Sequence, residues 1–243
     1  LAGPKSNSDR IPLMRTQFIC SSCGYESSKW YGRCPACQAW NTFSEFKVED
    51  SLKKSKSLDI TSSTEPTQIG RVKTFGLSRI STGFSELDRV LGGGIVLGSA
   101  VLLSGDPGVG KSTLLLELAR NIARAKSKVL YVSGEESEGQ IKIRAERIGV
   151  KGSDNLFIFS NGNLASAISA AEKIKPNLLI IDSIQTIVTD DIPGFAGSLP
   201  QVRHATSRIV SFAKKNNTPV FIIGHVTKEG EVAGPMLLSH MVD

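Results

Sequence analysis

The sequence predicts an α/β protein with a mostly parallel central sheet, preceded by a small module stapled by four cysteines. Three observations predict it. From Phe75 onward, apolar runs of strand length alternate with segments of helical period, the pattern of successive βαβ units. Apolar residues make up 40% of the 243-residue chain and aromatics only 6%, so the core must be built mainly from Ile, Leu, Val and Ala. All four cysteines fall between Cys20 and Cys37.

Residues 1–14 read as a polar tail or an added remnant and stay outside the fold reasoning. Residues 15–46 hold two pairs, Cys20-Ser-Ser-Cys23 and Cys34-Pro-Ala-Cys37. Two such pairs let four thiolates converge tetrahedrally on one Zn²⁺, each pair gripping from a tight knuckle that Gly24 and Pro35 suit. A module this small cannot fold on its own core, so the metal supplies stability, and four protein ligands leave it no open position for catalysis. Two disulfides or a redox dithiol are the competing readings; an intracellular compartment disfavours the first and the paired arrangement the second. Lys29, Trp30, Tyr31, Arg33 and Trp40 set aromatics beside cations, a combination that stacks on bases and tracks phosphates, or simply covers a tiny core. Residues 47–73 are rich in Ser, Thr, Lys and Glu and poor in large apolar side chains, which predicts a flexible linker.

In the main domain, 74–243, the pattern puts strands at 100–104, 128–133, 156–159, 177–182 and 219–224. Helices fit at 111–125, 138–148, 165–173 and 201–215, where apolar residues recur at three- and four-residue intervals. The formal charge of +6 and pI of about 9.2 tilt the reading towards an anionic partner such as nucleic acid, though charge alone decides little. No apolar run approaches the ~20 residues of a membrane span, and no charged stretch followed by an apolar signal core opens the chain, so it reads as soluble and intracellular.

Gly105, Asp106, Pro107, Gly108, Val109, Gly110, Lys111 and Ser112 satisfy G-x-x-x-x-G-K-[ST] between an expected strand and an expected helix, the context the motif needs. Glycines at 105, 108 and 110 let the backbone curl so that several N–H groups point at one phosphate, and the helix adds its positive end. This predicts an ATP site in which Lys111 reaches the β- and γ-phosphates, the Ser112 hydroxyl is a Mg²⁺ ligand and Thr113 supports the loop. Asp182 ends the apolar run 178–181 and so stands at the carboxyl edge of a central strand, where it can hold Mg²⁺ through water or merely cap the next turn. Hydrolysis needs a group that orients the attacking water. Glu135, just past the strand at 128–133, is the leading catalytic candidate and Glu136 can share the role; the alternative is that both only favour a helix N-terminus. His225, Thr227 and Lys228 follow the last strand and can sense the γ-phosphate, or form an ordinary polar loop.

These residues carry a resemblance to the bacterial RadA (Sms) DNA-repair and recombination ATPases. It rests on the cysteine pairs with Trp30-Tyr31-Gly32-Arg33-Cys34-Pro35; on Ser81-Thr-Gly83-x-x-Glu86-Leu-Asp88-x-Val-Leu-Gly92-Gly93-Gly94; on the phosphate loop; and on Gly224-His-Val-Thr-Lys-Glu-Gly230 with Ala233-Gly-Pro235. The resemblance implies a RecA-like P-loop ATPase core and a zinc ribbon. It also implies a homo-oligomeric, hexameric ring, binding of single-stranded DNA and recombination intermediates, recombination or helicase proteins as partners, and a cytoplasmic setting. It matches Lys111 and Ser112 to nucleotide-binding residues, the four cysteines to zinc ligands and, one step more remotely, Glu135 to the catalytic glutamate of the wider group. The family continues with a Lys-Asn-Arg-Phe-Gly motif and a Lon-protease-like domain, and Met236 and Ser239 stand where charged residues are expected. The chain therefore reads as a C-terminally incomplete portion that binds ATP better than it turns it over. A nucleotide-gated protein-binding switch is the alternative function.

Overall fold

The apolar runs at 129–133, 178–182 and 220–224 become neighbouring central strands, because only a sheet covered on both faces can hide such continuous sequences. The structure is a computed structural model and describes residues 15–20, 24–48, 68–71, 79–150, 152, 155–192, 194–225 and 238–243. Two compact units, Leu1–Asp59 and Ile60–Asp243, divide the chain.

In the first unit β1 (Arg15–Cys20), β2 (Glu26–Ser27) and β3 (Phe43–Val48) form an antiparallel sheet of order β2-β1-β3. In the second, chain order runs α1 (Ser85–Val90), β4 (Ala100–Gly105), α2 (Lys111–Arg124), β5 (Val129–Ser133), α3 (Glu138–Arg147), β6 (Leu156–Ser160), α4 (Leu164–Ile174), β7 (Leu178–Asp182), α5 (Leu199–Asn216) and β8 (Val220–His225). All five strands pair in parallel, in the order β4-β8-β7-β5-β6. Each expected strand and helix of the main domain is present with its ends shifted by a residue or two. The sequence pattern missed the six-residue α1 and, inside the expected linker, the 3-10 turn Ile69–Arg71, and β3 runs past the expected module end into residues 47 and 48. The expected tail, 1–14, lies outside the described residues.

Side chains alternate across the sheet, so each strand feeds two cores. Leu179 and Ile181 of β7 pack with Leu130, Val132 and Ile222 beneath α4 and α5. Leu178 and Ile180 pack with Val129, Tyr131 and Phe221 beneath α2 and α3. Asp182 falls on the second parity, which turns it to the α2–α3 side of the carboxyl edge.

Candidate functional site

The carboxyl edge of the parallel sheet collects the chemistry. Gly105 pairs with His225 where β4 and β8 end, and Asp182 pairs with Ser133 where β7 and β5 end. Residues 106–110 are exposed and curl into α2, whose first turn starts from Gly110 at φ 100. A side chain at that left-handed φ would be strained, and no side-chain cap occupies the α2 N-terminus. Its orphan N–H groups are thereby left for an anion. Lys111 is only 6% exposed, and its ammonium donates to the carbonyls of Gly105 (2.7 Å) and Asp106 (2.8 Å), which folds the charge over the loop. Ser112, half-buried, and Thr113, exposed, follow on the first turn.

The structure sends the two candidate acids different ways. Glu135 Oε1 accepts from the Ser183 hydroxyl at 3.1 Å and faces His225 Nε2 at 3.9 Å, so Glu135, Ser183 and His225 share one place at the edge. Glu136 Oε2 instead pairs with Arg144 Nη2 of α3 at 2.6 Å. Asp182 is 6% exposed; its Oδ2 accepts from the Tyr131 hydroxyl and lies 3.8 Å from Arg144 Nη2. Burial first, then the negative charge of Asp182, push the Tyr131 hydroxyl pKa upward, so this phenol stays protonated and donates. His225 is held from behind, where Gln185 Nε2 donates to its carbonyl at 3.3 Å. Gln185 Oε1 and His225 Nδ1 are buried without a hydrogen-bond partner among the described residues, which fits a site that takes a polar ligand. Ser112 and Asp182 offer a hydroxyl and a carboxylate, the hard oxygen donors that suit Mg²⁺. Thr227 and Lys228 lie outside the described residues.

In the first unit the two knuckles are built alike. Gly24 N–H donates to the Cys20 carbonyl and Gln38 N–H to the Cys34 carbonyl, while Cys20 and Cys34 N–H donate to the carbonyls of Tyr25 and Ala39. The sulfurs of Cys20, Cys34 and Cys37 lie within 4.8 Å of one another. Cys20 Sγ and Cys37 Sγ are 3.7 Å apart, far longer than the ~2.05 Å of a disulfide. Two bonds of about 2.3 Å from one tetrahedral Zn²⁺ would set thiolates about 3.8 Å apart, so this donor set fits zinc. Cys23 lies outside the described residues. The aromatics divide: Tyr25 and Tyr31 pack against Phe43, while Trp30 (53% exposed) and Trp40 (69%) face outward, with the Arg33 guanidinium over the Trp40 ring.

The AAA domain family matches residues 65–231, and the rubredoxin metal binding domain matches residues 18–45. The chain belongs to the AAA domain family. Its parallel sheet with helices on both faces is RecA-like, and a zinc ribbon precedes it. The chain is similar to three proteins named "DNA repair protein RadA": that of Halalkalibacterium halodurans at 49% identity over 232 residues, that of Listeria monocytogenes at 47% over 229 and that of Bacillus subtilis at 44% over 236. Each match covers 94% of this chain and 50% of the relative, so the chain spans about half the length of the curated relatives it matches. No helix among the described residues is long and apolar enough to cross a membrane.

Several residues of this AAA domain escaped the sequence reading. Ser183 carried a signal in its place beside Asp182. Tyr131 carried another, a phenol inside an otherwise apolar buried strand, where its hydroxyl must find a partner. Arg144 stands three residues after buried Ile141 and one before buried Ala145, a cation on the inward side of α3. Gly134 gave none: a Cβ there would run into Thr186 Oγ1 and come within 3.0 Å of the Thr186 carbonyl, so the turn carrying Glu135 is pressed against the segment after Asp182. The Ser81–Gly94 motif has a structural reason. The Ser81 hydroxyl and the Thr82 amide donate to Asp88 at 2.7 and 2.8 Å, and Asn121 of α2 donates to the Thr82 carbonyl at 3.2 Å. Desolvation alone would raise the Asp88 pKa, but these donors outweigh it and hold the carboxyl below its ordinary value. The motif braces the helix that follows the phosphate loop.

Proposed function

We propose that this chain is the ATP-hydrolysing core of a DNA-dependent repair ATPase of the RadA type, with a zinc module over 15–46, a linker over 47–73 and the ATPase domain from 74. The observation that carries this reading is the convergence at one sheet edge of the phosphate loop, Asp182 and the Glu135–Ser183–His225 group. Similarity to proteins named for DNA repair supports DNA as the target, and the net charge of +6 agrees with an anionic partner. Single-stranded DNA and recombination intermediates are the proposed substrates, with helicase or branch-migration work in the longer protein, recombination or helicase proteins as partners, a hexameric ring as the assembly and the bacterial cytosol as the setting.

In this reading the loop amides and the N-terminal end of α2 bind the β-phosphate, and Lys111 leaves its two carbonyls to neutralise charge between the β- and γ-phosphates. The Ser112 hydroxyl and, through water, Asp182 would hold Mg²⁺, which would supply charge neutralisation at the phosphates. Glu135 takes the catalytic part, orienting the attacking water, and the Ser183 hydroxyl steadies its carboxylate. Glu136 is engaged by Arg144, which favours Glu135 for that role. His225 is assigned as the γ-phosphate sensor, its ring facing Glu135 and its carbonyl held by Gln185. Cys20, Cys23, Cys34 and Cys37 hold a structural Zn²⁺.

Steady-state ATP hydrolysis by the full-length protein, with and without single-stranded DNA, tests the reading. DNA stimulates turnover, and Glu135→Gln lowers it about 100-fold or more while ATP still binds. Equal rates with and without DNA sink the DNA-dependence; an unchanged rate in the glutamine variant moves the chemistry away from Glu135 and points to the protein-binding switch.

A further inference from the structure

Under the carboxyl edge, on the α2–α3 side, four polar side chains meet that no step above fully uses. Tyr131, wholly buried in β5, donates its hydroxyl to Asp182 Oδ2. Arg144 Nη2 donates to the Tyr131 oxygen at 3.2 Å, pairs with Glu136 at 2.6 Å and lies 3.8 Å from Asp182 Oδ2. The side chains of Arg144 and Asp182 are 19% and 8% exposed, so the cluster is largely withdrawn from water. Packing alone does not call for it. A phenylalanine would fill the β5 position, and a buried carboxylate beside a buried phenol costs free energy unless each is satisfied.

The geometry points to Tyr131 as a positioning residue for Asp182, with Arg144 the cation that locks the pair; this rests on the reading of Asp182 as a metal-shell ligand. Both contacts use Oδ2. A carboxylate held by one oxygen keeps a fixed orientation and offers the other, Oδ1, to the metal's water. Hydrogen bonds that fix a ligating carboxylate in this way commonly matter 10–100-fold for metal affinity. The same Arg144 draws Glu136 into the cluster, so one guanidinium both steadies the metal-side acid and withdraws the second acid from the water-side position that Glu135 takes. A purely structural role would make the same contacts but would have no link to the metal.

The experiment uses the intact chain and a fluorescent ADP analogue whose binding is titrated against Mg²⁺, with a parallel titration in EDTA and thermal unfolding of the nucleotide-free protein. Tyr131→Phe keeps the ring and removes the donor. The half-saturating Mg²⁺ concentration rises about ten-fold in this variant, while nucleotide affinity in EDTA stays at the parent value. An unchanged Mg²⁺ midpoint accompanied by a lowered unfolding temperature overturns the inference and leaves Tyr131 structural. Equal loss of affinity with and without Mg²⁺ overturns it as well, since the damage is then to the whole pocket. Asp182→Asn separates the two levels: if it leaves the Mg²⁺ midpoint alone, the metal-ligand reading itself fails, and if it moves the midpoint while Tyr131→Phe does not, only the positioning role falls.

Discussion

The two units of this chain are held by different forces. Ile60–Asp243 sandwiches a five-stranded sheet between two apolar layers whose central strands are buried along their length. In Leu1–Asp59 the buried apolar cluster among the described residues is Cys20, Cys34 and Phe43 with Phe18 against them, and two of those four are metal-ligand candidates. Burial of apolar surface scales with size, so the larger unit stabilises itself and the smaller one leans on its metal. Removing the metal is therefore the harshest test of the contrast. Structural zinc contributes about 10–16 kcal/mol of binding free energy in isolated fingers, more than a module this small can replace. Both tryptophans of the chain, Trp30 and Trp40, lie in the module, so their anisotropy reports on it alone. A zinc-selective chelator, with Mg²⁺ kept in excess, will release zinc, raise the reactivity of the cysteine thiols and lower tryptophan anisotropy, while affinity for the ADP analogue holds. Loss of nucleotide affinity in the same titration would break the comparison, because the AAA domain would then depend on the module.

The converse perturbation is smaller. Ile180 is fully buried at the centre of β7, on the same face as Asp182. Ile180→Ala leaves a cavity and costs about 2–5 kcal/mol, which for a domain of this size lowers the unfolding temperature by about 5–15 °C. Thiol reactivity in the zinc module should not respond. A rise in that reactivity at temperatures where the AAA domain is still folded would show that the units share stability after all.

The same contrast explains what could be read from the sequence. Glycine spacing in the phosphate loop, the continuous apolar strands and the paired cysteines are local signals, each fixed by a few neighbouring residues. Glu135 and Asp182 could be placed at the carboxyl edge because a strand delivers the residues at its end there. Ser183 against Glu135, Tyr131 against Asp182 and Gly134 against Thr186 were not legible, since each joins residues roughly fifty positions apart. Such contacts depend on strand order and on which side of the sheet each strand turns, and periodicity carries neither. The similarly bonded knuckles show the opposite case, where local spacing and backbone geometry agree at Cys20–Gly24 and again at Cys34–Gln38.

Within the AAA domain the comparison narrows to two helix starts. The N-terminus of α2 has no side-chain cap, whereas that of α3 is closed by a capping box in which the Gln140 amide donates to Ser137 Oγ and the Ser137 amide donates to Gln140 Oε1 at 2.9 Å. A helix meant to bind phosphate leaves its N–H groups open, and one meant only to support the turn carrying Glu135 and Glu136 closes them. Ser137→Ala removes the cap and costs about 1 kcal/mol, a fall of about 2–4 °C in unfolding temperature. Hydrogen exchange should quicken in the first turn of α3 and not in that of α2. Nucleotide affinity without Mg²⁺ stays put, because the proposed phosphate contacts belong to α2. If the alanine variant instead weakened binding of the ADP analogue in EDTA, the α3 start would belong to the nucleotide site and the division of labour between the two helices would be wrong.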